Sequence, residues 1–127
     1  MLGVLSLRDV TRAQLDELPE RLRRRALHVV EENQRVLAAV LSLREHDMPA
    51  LAALLNASHA SLRGLYEVST PAVEATVTRM HEAGAVGARL IGGGFGGSVL
   101  GLFAPQAPLP PDAIAVAPGP GASVREE

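Results

Sequence analysis

Val86-Gly87-Ala88-Arg89-Leu90-Ile91 and Ser98-Val99-Leu100-Gly101-Leu102-Phe103 flank a six-residue run, Gly92-Gly93-Gly94-Phe95-Gly96-Gly97. Both flanks are short and apolar or alternating, so they read as strands, and the glycine run reads as the connection that makes them antiparallel partners. A two-residue hairpin turn needs far fewer than five glycines. Glycines also adopt positive φ and, lacking a Cβ, let a second backbone or a phosphate approach closely, with successive N–H groups as anion donors. The run therefore has two readings at this point: a connection used for its geometry, or an anion-side loop.

Upstream of the hairpin the periodicity is helical. Pro19 suits the start of a helix, and Leu22, Ala26, Val29, Val30, Val36, Leu37, Val40 and Leu41 recur as an apolar stripe over the next two dozen residues. Arg21, Arg24, Arg25, His28, Glu31, Glu32 and Arg35 fall away from that stripe, with Glu31 and Arg35 spaced as an i,i+4 pair. Asp47 followed by Pro49 announces a second helix carrying Leu51, Leu54, Leu55, Ser58 and Leu62 on one side, with Gly64 as its stop. Thr70-Pro71 caps a third, with Val73, Val77 and Met80 inward and Gly84 as breaker.

Downstream, Pro105, Pro108, Pro110 and Pro111 interrupt the chain before residues 113–117, which read as a further strand, and before the Pro118-Gly119-Pro120-Gly121 turn. Helices followed by strands predict an α+β fold, helices packed on a small antiparallel sheet. At 127 residues the chain fits one domain, 1–127, with a Pro-rich connection at 104–112 inside it.

Composition removes whole classes of chemistry. Every basic residue other than histidine is Arg, so a P-loop lysine, a Schiff-base lysine and the strand lysine of protein kinases are excluded. No Cys means no thiol catalysis, disulfide or thiolate metal site. One Tyr, two Phe and no Trp leave no aromatic platform for nucleic acid, and a net charge of −2 gives no sequence-wide attraction to polyanions or membrane surfaces. The apolar opening reaches Arg8-Asp9 too early for a signal segment, and no run approaches the ~20 apolar residues of a spanning helix. The expectation is a cytoplasmic protein with neither nucleic-acid nor membrane partners.

Gly92, Gly94 and Gly97 satisfy G-x-G-x-x-G, but a dinucleotide fingerprint opens a helix and is followed by an acidic residue about 20 positions on. Here a strand-like segment follows where the helix should open. The same glycines, ending at Val99, satisfy the protein-kinase loop pattern, which fails for want of Lys, His-Arg-Asp and Asp-Phe-Gly.

Gly87-Ala88-Arg89-Leu90-Ile91-Gly92-Gly93-Gly94-Phe95-Gly96-Gly97-Ser98 resembles the third motif of the GHMP small-molecule kinases in its galactokinase form. Arg25-Ala26-Leu27-His28-Val29-Val30-Glu31-Glu32-Asn33, Asn56-Ala57-Ser58-His59-Ala60-Ser61-Leu62-Arg63 and Tyr66-Glu67-Val68-Ser69 are similar to three further segments of that family, in order. The resemblance implies the C-terminal domain of a two-domain enzyme, ferredoxin-like, whose complete form uses ATP and Mg²⁺ to phosphorylate galactose at C1. It implies that Gly93, Gly94, Phe95, Gly96 and Gly97 lie on the phosphate side, bracing a nucleotide loop of the N-terminal domain.

The family's Gly-Leu-Gly-Ser-Ser loop and sugar-recognition motif are not in this sequence, so the resemblance also implies that the catalytic N-terminal half is absent. The chain alone is expected to hold no catalytic residue, no metal and no cofactor. Sugar and ATP would reach it through the missing domain, by association with a separate N-terminal half or by self-association. N-acetylgalactosamine or another hexose remains open beside galactose, and a non-catalytic binding or regulatory module is the alternative. Three departures stand out: Ser98 where relatives have Cys, Gly64-Leu65 where they have an acidic pair, and the Pro-rich 104–112 where they have a helix. Loss of the acidic pair predicts loss of polar contact at that turn.

His28, His46, His59 and His81 lack metal-ligand spacing, and His59 reads as a packing or hydrogen-bonding residue. Asp47, Ser58 and His59 are the right types for a hydrolase triad. Adjacent Ser and His on a helix diverge by about 100°, however, and no nucleophile elbow is present. Arg21, Arg23, Arg24 and Arg25 are offset by Glu17, Glu20, Glu31 and Glu32 and read as a solvated face. Arg89 has two readings, a charge facing an interdomain cleft or a structural partner.

Overall fold

The computed structural model describes residues 6–93 and 97–125. Two 3-10 turns, Leu7–Asp9 and Arg12–Glu17, lead into three helices, α1 (Glu20–Arg44), α2 (Met48–Ser61) and α3 (Pro71–Glu82). Two strands follow, β1 (Gly87–Leu90) and β2 (Val99–Leu102). The strands pair antiparallel, Gly87 opposite Leu102 and Leu90 opposite Val99, so the expected hairpin and the α+β class both stand.

The helix starts follow from local chemistry. Asp47 accepts from the Ala50 amide at 3.0 Å and Thr70 from the Val73 amide at 3.3 Å, each supplying an acceptor to an otherwise orphaned first-turn N–H. Pro19 is the N-cap of α1 rather than a first-turn residue. α2 does not stop at Gly64. It loosens into a π-helical turn, Leu62–Tyr66, and ends where Glu67 takes a left-handed φ of 60°. Gly84 ends α3 with φ 106°, a conformation that penalises a Cβ.

The core beneath the sheet is aliphatic: Leu62, Val68, Val73, Val77, Ala88 and Leu90, with Met80 and Val99 packed against them. Each fully buried Val or Leu contributes about 1.5–3 kcal/mol before entropy is counted. A second cluster joins Val10, Leu15 and Leu18 of the N-terminal turns to Ala26, Leu27 and Val30 of α1.

Two expectations are corrected. Of the stripe assigned to the core on α1, Ala26 and Val30 are buried, whereas Leu22, Val36, Leu37, Val40 and Leu41 are exposed. The side of α1 turned toward α2 carries His28, Glu32, Arg35 and Ser42, because α2 offers Ser58 and Ser61 there and polar groups pair with polar groups. Residues 113–117 form no strand, and Ile114 and Val116 stand 87% and 74% exposed. Their bulk lies on one face and alanines on the other, so the segment has too little apolar surface to drive sheet packing. An ion pair from Arg79 to Asp112 at 2.6 Å tethers the Pro-rich connection to α3.

Candidate functional site

β1 is the element from which the glycine loop departs, and its two edges are held differently. One edge pairs with β2, up to the Ile91 amide on the Ser98 carbonyl at 3.0 Å, which closes the base of the loop. The other edge meets α2, whose side chains stand in for a third strand. The Asn56 amide donates to the Val86 carbonyl at 3.1 Å, and its oxygen accepts from the Ala88 amide at 3.0 Å. One turn further along α2, His59 Nδ1 accepts from the Leu90 amide at 3.2 Å. Asn56 and His59 are i,i+3 on one helix face, so their spacing spans alternate residues of an extended strand.

Such an approach needs a residue without a side chain at Gly87. A Cβ there would lie 2.9 Å from both the Cα and the carbonyl oxygen of Ala52. The glycine is thus required by packing of strand on helix backbone.

The Leu90 N–H can donate only to a bare Nδ1, so the proton of the buried His59 sits on Nε2, which donates to Glu74 Oε1 at 2.8 Å. The Ser69 hydroxyl donates to the same oxygen at 2.6 Å, and Arg63 to Oε2 at 3.2 Å. Burial pushes the Glu74 carboxyl up, but Ser69, His59 and Arg63 together hold it below the usual carboxylate range.

A second network lies between α1 and β1. Burial likewise raises Glu32, and the Ser58 hydroxyl at 2.7 Å, Arg35 at 2.9 Å and the charge of Arg89 outweigh it and lower the carboxyl. Arg89 donates to Glu32 at 3.3 Å and to the Leu90 carbonyl at 2.8 Å, which gives it a structural role. His28 lies 2.8 Å from Ser61 and stacks obliquely on Tyr66 at 4.8 Å. Burial, chiefly, lowers its pKa.

The turn at Gly64-Leu65 keeps polar contacts after all. Arg24 reaches the Gly64 carbonyl, Arg25 the Leu65 carbonyl at 2.6 Å, and both pair with Glu67. Backbone oxygens do there what the expectation had assigned to side chains. Of the arginine run of α1, Arg23, Arg24 and Arg25 are paired, Arg23 with Glu20.

Of the sequence-predicted phosphate-side residues, Gly93 and Gly97 are placed, both exposed. Gly94, Phe95 and Gly96 lie outside the described residues. Gly92 and Gly97 have φ of 87° and 102°, and nothing stands within 4 Å of where a Cβ would be at Gly92 or Gly93. That open approach fits a phosphate or a second backbone. Among the described residues no group of three or more His, Asp or Glu side chains could hold a metal ion.

The imagined triad does not form. Asp47 caps α2, Ser58 serves Glu32 and His59 serves Glu74. A concavity of about 410 Å³ lined by Arg12, Leu15, Arg24 and Leu27 lies between the N-terminal turns and α1, and its arginines are already paired with Glu31 and Glu67. The site is therefore one of placement: a rigid stem presenting a glycine loop. Reading the sequence alone missed Asn56, Glu32 and Glu74 as its supports. The i,i+3 Asn/His pair on α2 was the available signal for the first.

Among the described residues, no helix is long and apolar enough to cross a membrane. Residues 37–113 match the family described as GHMP kinases C terminal. The chain is 48% identical over 103 residues to a galactokinase of Thermotoga neapolitana, covering 80% of this chain and 29% of that protein. It is 44% identical over 108 residues to one of Streptomyces coelicolor, covering 80% and 28%. The solved structure of Lactococcus lactis galactokinase complexed with galactose superposes with a TM-score of 0.72 at 34% identity, over 80% of this chain and 28% of that one. The chain thus spans less than a third of the length of these relatives. With a fold and a family match that agree over most of its length, the chain belongs to the GHMP kinase C-terminal domain family.

Proposed function

We propose that residues 1–127 form one C-terminal domain of a galactokinase-like sugar kinase, which transfers the γ-phosphoryl group of ATP to the C1 hydroxyl of galactose in the cytoplasm. The observation that carries this reading is the braced hairpin: β1 held on one edge by β2 and on the other by Asn56 and His59, with Gly92 and Gly93 open to approach where the glycine run leaves it.

Phosphoryl transfer depends on positioning and on charge stabilisation at the moving group. ATP as its magnesium complex supplies that group when bound. The residues of this chain supply position: Gly93, Gly94, Phe95, Gly96 and Gly97 brace the nucleotide loop of a catalytic N-terminal domain. The groups that read the sugar and activate its hydroxyl belong to that other domain, and the isolated chain is inactive.

The test is to mix the chain with a polypeptide comprising the portion of the Thermotoga neapolitana galactokinase outside the match, and to follow ATP consumption with and without galactose. Galactose-dependent consumption that requires both polypeptides supports the reading. Consumption equal to that of the N-terminal polypeptide alone refutes it.

A further inference from the structure

α1 is amphipathic in the opposite sense from a helix whose only neighbours are the rest of this chain. Its inner side carries His28, Glu32, Arg35 and Ser42, while Val36, Leu37, Val40, Leu41 and Leu43 stand 40–69% exposed. Arg35 is the one ionisable side chain in residues 33–43, and it points inward, 15% exposed and paired with Glu32. From residue 33 to residue 43 the outer face is consequently free of charge, and the exposed Arg44, the last residue of α1, ends it on the same side. At about 100° per residue the five apolar side chains cover roughly 160° of the circumference, wider than the stripe a helix usually buries. Contiguous uncharged apolar surface of this kind marks a contact site.

The first half of the same helix shows how the face is used. There Val10, Leu15 and Leu18, from the turns that precede α1, cover Ala26, Leu27 and Val30. The cover ends and the apolar face continues. The bare part lies almost wholly inside the family match, which starts at residue 37, whereas the covering turns lie outside it. More than two thirds of each relative's length is not represented in this chain.

We infer that the outward face of the C-terminal half of α1, centred on Leu37 and Leu41, is a docking surface for the remainder of a galactokinase-type chain, which meets it with an apolar surface that continues the cover begun by Val10 and Leu15. The inference rests on the proposed function and adds to it the place where the two parts join, on a helix face remote in sequence from the glycine loop. Because the five side chains are already exposed, charging them leaves the isolated fold intact.

The experiment co-expresses the tagged chain with the same unmatched portion of the Thermotoga neapolitana galactokinase and compares wild type with Leu37→Glu, Leu41→Glu and, as a control on an exposed apolar residue elsewhere, Ile114→Glu. Expected are co-purification of the wild-type and I114E chains, at least tenfold weaker association of L37E and L41E, and unchanged melting of both variants in isolation. Association of L37E and L41E at wild-type strength overturns the docking surface. If that complex also consumes ATP in a galactose-dependent way, the kinase reading survives without it. A complex that L37E and L41E weaken but that never consumes ATP sustains the surface and overturns the kinase reading. Failure of the wild-type chain to associate, or a concentration-dependent dimer of the chain alone that L37E dissolves in sedimentation, assigns the face otherwise and overturns the inference.

Discussion

Replacing His59 by Ala tests the stem of the loop most directly. The imidazole is 3% exposed and makes two bonds at once, accepting from the Leu90 amide and donating to Glu74. Leu90 is 1% exposed, so its N–H finds no water when the acceptor goes, which costs about 1–3 kcal/mol. The bond to the carboxylate adds about 1–2 kcal/mol, at the low end for a charged acceptor because Glu74 is a third exposed and keeps Ser69 and Arg63. His59→Ala should therefore lose about 2–5 kcal/mol in urea unfolding, a large share of the ~5–15 kcal/mol of an ordinary domain. His59→Asn places an oxygen near the Nδ1 position and recovers the Leu90 part, so its loss should be about half as large. Amide exchange locates the effect: Leu90 should exchange faster in the Ala variant, while Ile91, bonded to Ser98, should change little. A loss under about 0.5 kcal/mol, or unaltered Leu90 exchange, refutes the reasoning that α2 holds the strand edge through this ring.

Three further outcomes follow from the same structure. Gly87→Ala should cost about 1–3 kcal/mol by overpacking, and Ala52→Gly should not rescue it, because the clash is with the Ala52 backbone; urea unfolding of the double variant checks this. Burial lowers the pKa of His28 below 6.5, so the unfolded chain binds its proton first and stability falls as pH drops through that value; Glu32 and Glu74, lowered in the fold, hold their contribution above pH 4.5 and lose it below. Melting temperatures from pH 8 to about pH 2 should show both losses, and His28→Gln should flatten the upper one alone. Asp47→Ala removes the acceptor at the start of α2 and should cost about 1 kcal/mol by thermal unfolding, with Asp47→Ser close to wild type.

Much of the fold was legible because its signals are local. Asp47, Thr70 and the prolines beside them mark helix starts through groups within three residues, and the two apolar segments around 92–97 mark a hairpin. Which face of α1 is buried was not legible, because that depends on what α2 presents. The period of Leu22, Val36, Val40 and their neighbours is a true helical period, yet the helix turns its polar side inward to meet Ser58 and Ser61. Periodicity names a face that excludes water; it does not say whether the excluding partner is in the same chain.

The candidate site divides in the same way. The glycine loop is visible as composition, but its supports are pairs far apart in sequence, Asn56 with Val86 and Ala88, His59 with Leu90 and Glu74, Glu32 with Ser58 and Arg89. In three of the four segments that suggested the family, the polar side chains are engaged in holding the fold. Arg25, His28 and Glu32 of the first, Ser58, His59, Ser61 and Arg63 of the second, and Tyr66, Glu67 and Ser69 of the third bond to one another, to Glu74 or to β1. Each network ends at the strand that precedes the loop or at the turn that carries α2 into α3. Side chains spread over some forty-five positions thus act on one stem. A loop of five glycines and a single Phe has almost no side chains to fix its own position, and the rigidity it needs to brace a neighbour must come from that stem.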